Sequence, residues 1–172
     1  MLYKSLNYLS KSESFKEAVI KGIAQDNGLY YPEKIKPFSK KLIRNLNKLS
    51  LHNIAFKAIK QFIGNAIPEK KLKTIIEETL NFDFPLIQIE ENIFSLELFH
   101  GPTLAFKDVG ARFMARCLEY FNKNSNEKIT VLVATSGDTG GAVANGFLNV
   151  SGVEVIILYP KGKVSVIQEK QM

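Results

Sequence analysis

Two apolar runs, "ITVLVAT" (Ile129 to Thr135) and "VEVIILY" (Val153 to Tyr159), flank the segment "SGDTGGAVANGFLNVSG". Each run is short, rich in β-branched residues and nearly free of polar ones, as a strand buried in a parallel sheet should be. The glycine-rich turn, and a helical segment bearing Val143 and Phe147, supply the crossover that parallel pairing needs. From about residue 81 the chain is therefore expected to be α/β, the first part of an open, mainly parallel sheet domain.

The segments upstream fit around that unit. "PLIQIEENIFSLELF" reads as two short strands around residues 90–92, with Phe94, Leu96 and Leu98 alternating against Ser95 and Glu97. A helix follows through "FKDVGARFMARCLEYF", with Phe106, Gly110, Phe113, Met114, Cys117, Leu118 and Phe121 as its expected buried stripe. Residues 1–80 read as a helical N-terminal domain. "SFKE" (Ser14 to Glu17) is a capping box, and further stripes follow Ser39, precede Gly64 and start near Pro68. "SVIQ" (Ser165 to Gln168) signals one more helix, with few residues left before Met172. Two parallel strands leave open edges, so residues 81–172 are expected to be an incomplete domain.

Charge and composition remove several classes of function. The net charge of +6 is concentrated in residues 1–80, where 15 Lys/Arg face 7 Asp/Glu; residues 81–172 hold 8 against 10. Those lysines are scattered through amphipathic segments with few interleaved aromatics, which reads as a solvated surface and not a nucleic-acid site. No apolar run reaches the about 18 residues that a membrane span needs. The start lacks a secretory apolar segment, and a cytoplasmic location is expected. Cys117 is the single cysteine and lies on an apolar stripe, so it reads as core. His52 and His100 have no partner pattern and read as structural; no metal spacing is present.

Two features could carry chemistry. Lys107 stands on the first turn of its helix, where the positive end of the dipole disfavours an ammonium. Gly110 and Ala111, one turn on, leave space above it. These conditions suit an amine that attacks a carbonyl, and they equally suit a surface lysine. The second feature, "ATSGDTGGA", lies between the end of a parallel strand and the start of a helix, where open α/β sheets bind ligands. Its backbone N–H groups and the hydroxyls of Ser136 and Thr139 favour an anion, and its glycines admit close approach. The glycine spacing fits neither a dinucleotide fingerprint nor a P-loop.

Taken together, "FKEAVIKGIAQDNGLYYP", "ELFHGPTLAFKD", "VLVATSGDTGGAVA" and "VIILYPKGKVSVIQEKQ" resemble the threonine synthase family, pyridoxal-phosphate enzymes of fold type II. The resemblance covers essentially the whole chain and keeps the family's order. It implies that Lys107 holds pyridoxal 5'-phosphate as a Schiff base and then moves protons on the substrate. It implies that Ser136, Gly137, Asp138 and Thr139 lie against the cofactor and the substrate's α-carboxylate, with Phe106 beside the ring. Lys163, with Lys161, is a phosphate-seeking candidate. The implied substrate is O-phospho-homoserine, converted with water to threonine and phosphate. Family members are more than twice as long, so the phosphate-cradling loop and the partner of the pyridine nitrogen are expected from the remainder of the same enzyme. This chain alone is expected to be inactive. A related phospho-lyase releasing a 2-oxo acid, and a non-catalytic regulatory chain, remain as alternatives.

Overall fold

A computed structural model describes residues Met1–Met172. The chain divides into two compact units, Met1–Glu78 and Thr79–Met172.

The first unit opens with a small antiparallel sheet. Strand β1 (Leu2–Ser5) lies between β2 (Glu13–Ser14) and β3 (Tyr30–Pro32), with Tyr3 opposite both Glu13 and Pro32. The all-helical reading of residues 1–80 is corrected here. Strands of two to four residues are too short to show period-two alternation, and long-range hydrogen bonds define them instead. Asp26 anchors the connecting loops. Its carboxylate accepts the Ser5 hydroxyl and the N–H groups of Leu9, Ser10 and Gly28.

The helices begin where their caps dictate. Ser14 and Glu17 form a reciprocal capping box at the start of α1 (Phe15–Lys21). Ser39 caps α2 (Lys40–Arg44), which is shorter than its apolar stripe suggests and passes into a 3-10 turn at Leu46–Lys48. Ser50 caps α3 (Leu51–Ile63), and Gly64 ends it at φ 59°, a conformation that favours glycine. The Pro68 carbonyl accepts the first bond of α4 (Glu69–Thr79) from Leu72. Ile63, Ile67, Leu72 and Ile75 in this stretch are fully buried.

The second unit starts with the hairpin β4 (Leu86–Glu90) and β5 (Ile93–Leu96), turned at Asn92 with φ 62°. Helix α5 (Lys107–Asn122) precedes the strand–helix–strand unit of β6 (Ile129–Ala134), α6 (Asp138–Gly146) and β7 (Val153–Leu158). β6 and β7 pair in parallel, from Ile129 opposite Val153 to Ala134 opposite Leu158. The short helix α7 (Val166–Gln171) follows, capped by Ser165.

The α/β class holds, with two qualifications. β6–β7 is a parallel pair, whereas the other sheets are antiparallel. The strands are also not buried on both faces. Exposure alternates along β6 and β7, and Leu132, Ile156 and Leu158 remain open on one side.

The buried face of α5 differs from the stripe drawn from sequence. It runs through Asp108, Ala111, Ala115, Leu118 and Asn122, while Phe106, Gly110 and Met114 are exposed. The face is rotated by roughly a third of a turn, at about 100° per residue. Close approach of helices is the reason. A Cβ on Gly146 of α6 would come within 3.0 Å of the Ala111 carbonyl carbon, so the small residues of α5, not its large ones, face α6. Cys117 and Leu118 are buried as expected, and desolvation pushes the Cys117 thiol up to about 12.

Candidate active site

The loop before α5 sets where Lys107 starts. Leu104 adopts φ 60°, and its N–H bonds to the Gly101 carbonyl. Asp108, only 1% exposed, reaches back into this loop and accepts both the N–H and the hydroxyl of Thr103. It sits so close over Gly101 that no side chain fits there. Asp108 therefore holds the "GPT" turn against the first turn of the helix, where a carboxylate also complements the dipole. Its signal was the acid one residue after the lysine, which sequence reasoning left unused.

Lys107 is the first residue of α5 and remains partly open, its side chain 36% exposed. Nζ lies 5.9 Å from the centre of the Phe106 ring, and that ring is itself exposed.

The second half of the site is the turn from β6 into α6. Gly137 occupies the N-cap position at φ 149°, a conformation that side-chain-bearing residues rarely adopt. Thr135 does the capping from the end of the strand: its hydroxyl accepts the N–H groups of Gly137 at 3.0 Å and Gly140 at 3.1 Å. Sequence reasoning did not single out Thr135, although a hydroxyl residue two positions before the turn glycine was its signal. The remaining first-turn donors are the N–H groups of Asp138 and Thr139, beside the exposed Ser136. These are the groups an incoming carboxylate would meet.

The two halves meet through one contact. Lys107 Nζ stands 4.0 Å from Asp138 Oδ2, across the gap between the starts of α5 and α6. The lysine thus faces a carboxylate as well as its own helix terminus. The other oxygen, Oδ1, accepts a 2.5 Å hydrogen bond from Nε2 of Gln168 on α7. Gln168 was not a sequence candidate.

The remaining candidates separate from this centre. Lys161 and Lys163 are exposed in the turn after β7, where the Lys163 N–H bonds to the Pro160 carbonyl. Neither lysine is tied to Lys107 or Asp138. Because Ala134 pairs with Leu158, that turn leaves the sheet at the same carboxyl edge as the "SGDTG" turn. His100 pairs with Glu97 at 2.7 Å and stacks on Phe99. A cavity of about 370 Å3, lined in part by Pro102, Thr103, Asn145 and Gln171, includes neither Lys107 nor Asp138.

Known proteins resemble this arrangement in sequence and in fold. A family model described as "Threonine synthase N terminus" matches residues 2–80. A threonine synthase of Buchnera aphidicola subsp. Baizongia pistaciae is 45% identical over 158 residues, covering 91% of this chain and 37% of that protein. The crystal structure of a PLP-bound threonine synthase from Brucella melitensis superposes with a TM-score of 0.92 at 38% identity, over 100% of this chain and 38% of that one. Threonine synthase from Escherichia coli gives a TM-score of 0.92 at 40% identity, over 99% of this chain and 40% of that one. The chain thus spans less than two-fifths of the length of the curated relatives it matches.

Proposed function

We propose that this chain, which matches the N-terminal portion of threonine synthases along its length, carries the cofactor lysine and the carboxylate-binding turn of such an enzyme. The reaction is the conversion of O-phospho-L-homoserine and water to L-threonine and phosphate, a pyridoxal 5'-phosphate-dependent lyase reaction on a fold-type-II scaffold. One observation carries the reading: Lys107 and the "SGDTG" turn, remote in sequence, come within 4.0 Å.

The residues present suit the cofactor. A reachable amine and a helix terminus with free N–H donors converge at one place. Lys107 would hold the cofactor, with Phe106, Ser136, Gly137, Asp138 and Thr139 around it. When bound, pyridoxal phosphate supplies an electron sink for negative charge developing on the substrate's carbons. Lys107 Nζ is the group placed to take the Cα proton and then a Cβ proton, and to return protons as phosphate leaves Cγ and water adds at Cβ. The Ser136 and Thr139 donors bind the substrate's α-carboxylate. Lys163, at the same edge of the sheet, is assigned to the substrate's phosphate.

The chain acts together with the polypeptide corresponding to the other three-fifths of its relatives, which supplies the cofactor-phosphate loop and the partner of the pyridine nitrogen. The reading assigns no nucleic-acid partner and a cytoplasmic setting. No helix is long and apolar enough to cross a membrane.

The test is to incubate the chain with pyridoxal phosphate, reduce with borohydride and map the modified peptide. Stoichiometric label on Lys107 is expected, with little on the other lysines. Label scattered across the surface lysines would remove Lys107 from its assigned role.

A further inference from the structure

We propose that Gln168 is a positioning residue for Lys107: its amide holds the Asp138 carboxylate beside the lysine amine. This rests on the reading of Lys107 as the reactive amine, and it adds a residue to which neither motif points.

The amide's direction is set from both ends. The Ser165 hydroxyl donates to Gln168 Oε1 at 3.1 Å, which leaves Nε2 as the free donor. Nε2 donates to Asp138 Oδ1 at 2.5 Å, and Oδ2 of the same carboxylate faces Lys107 Nζ at 4.0 Å. The two oxygens of one carboxylate are thereby divided between two partners on two other helices. An acid in the first turn of a helix would otherwise turn toward its own N–H groups or into water, because its side chain is 57% exposed.

Gln168 is also seated. A Cβ on Gly137 would lie 2.5 Å from the amide carbon and 2.6 Å from both Oε1 and Nε2. The absence of a side chain at position 137 thus makes room for the amide, as well as permitting the turn. Ser165 serves twice, capping α7 through the Gln168 N–H and orienting the Gln168 side chain. The chain of contacts runs from Ser165 to Gln168 to Asp138 to Lys107 and joins the starts of α5, α6 and α7.

The experiment measures how fast Lys107 is acetylated, relative to the other lysines of the same chain, by peptide mass mapping. Four proteins are compared: wild type, Gln168→Met, Asp138→Ala and the double variant. Methionine keeps the length of the side chain over Gly137 but cannot donate. Circular dichroism and melting curves establish that each protein is folded.

Loss of the amide lets the carboxylate swing away, and Lys107 loses its counter-ion. The relative acetylation rate should therefore rise about threefold or more in Gln168→Met, the scale of coupling between groups in contact. Asp138→Ala should raise it at least as much, and the double variant should match Asp138→Ala alone. A wild-type rate in Gln168→Met would overturn the proposal. So would an equal rise from Gln168→Met in both backgrounds, because the glutamine would then act by packing and not through Asp138.

If Gln168→Met does not fold, the side-chain amide resonances of Gln168 decide. They should move between wild type and Asp138→Ala, and unmoved resonances would overturn the proposal. Borohydride mapping separates this outcome from the functional reading. Selective label on Lys107 without coupling to Gln168 sinks the positioning role alone, whereas coupling without selective label sinks the assignment of Lys107.

Discussion

Single carboxylates organise both units, each by dividing its oxygens among several donors. Asp138 serves Lys107 and Gln168, Asp108 serves the Thr103 turn, and Asp26 ties together the loops around β1. For Asp26 the Ser5 hydroxyl, and then the Gly28 and Leu9 N–H groups, hold the carboxyl down at about 2, against an ordinary value of 3.8. Those bonds require the charged form. Because the folded value lies below the unfolded one, their contribution to stability is complete above about pH 4 and is lost as the pH falls toward 2. Wild type should therefore lose melting temperature steeply between pH 4 and pH 2. Asp26→Asn should melt lower at pH 7 and show a flatter dependence over that interval, measured by circular dichroism.

At the scale of elements, the site depends on how closely α5 and α6 approach. Ala111 against Gly146 fixes that spacing, and the starts of the same two helices carry Lys107 and Asp138. A methyl group at position 146 would meet helix backbone at 3.0 Å and 3.1 Å, which cannot rotate aside as a side chain would. Gly146→Ala should cost about 1–3 kcal/mol, the usual range for overpacking, read from the urea midpoint. It should also lower labelling of Lys107 by pyridoxal phosphate, because the helix starts are forced apart. An unchanged midpoint would show that the helices adjust without strain.

At the scale of the molecule, the sheets carry apolar surface that nothing in the chain covers. Leu86, Ile89, Phe94 and Leu96 of the hairpin, and Leu132 and Leu158 of the parallel pair, are each more than half exposed. With relatives more than twice as long, this surface belongs with the proposal that further polypeptide completes the site. The 172-residue chain, supplied with pyridoxal phosphate and O-phospho-homoserine, should release neither threonine nor phosphate in an amino-acid and phosphate assay. Turnover by the chain alone would overturn the division of the site between this portion and the rest.

Much of this was legible in the order of residues because it is local. The capping box at Ser14 and Glu17, the helix stop at Gly64, the strand–turn–helix through "ATSGDTGG" and the start of α5 at Lys107 each depend on neighbours a few positions apart. The β1–β3 sheet was not legible, because strands this short exist only through partners far along the chain. Nor was the buried face of α5, where hydrophobicity pointed to Phe106 and Met114 and close helix packing selected Ala111 and Ala115. The meeting of Lys107, Asp138 and Gln168 belongs to the same class. Each residue's place on its own helix follows from sequence, but the distances between three helix starts are decided by the packing that brings the helices together.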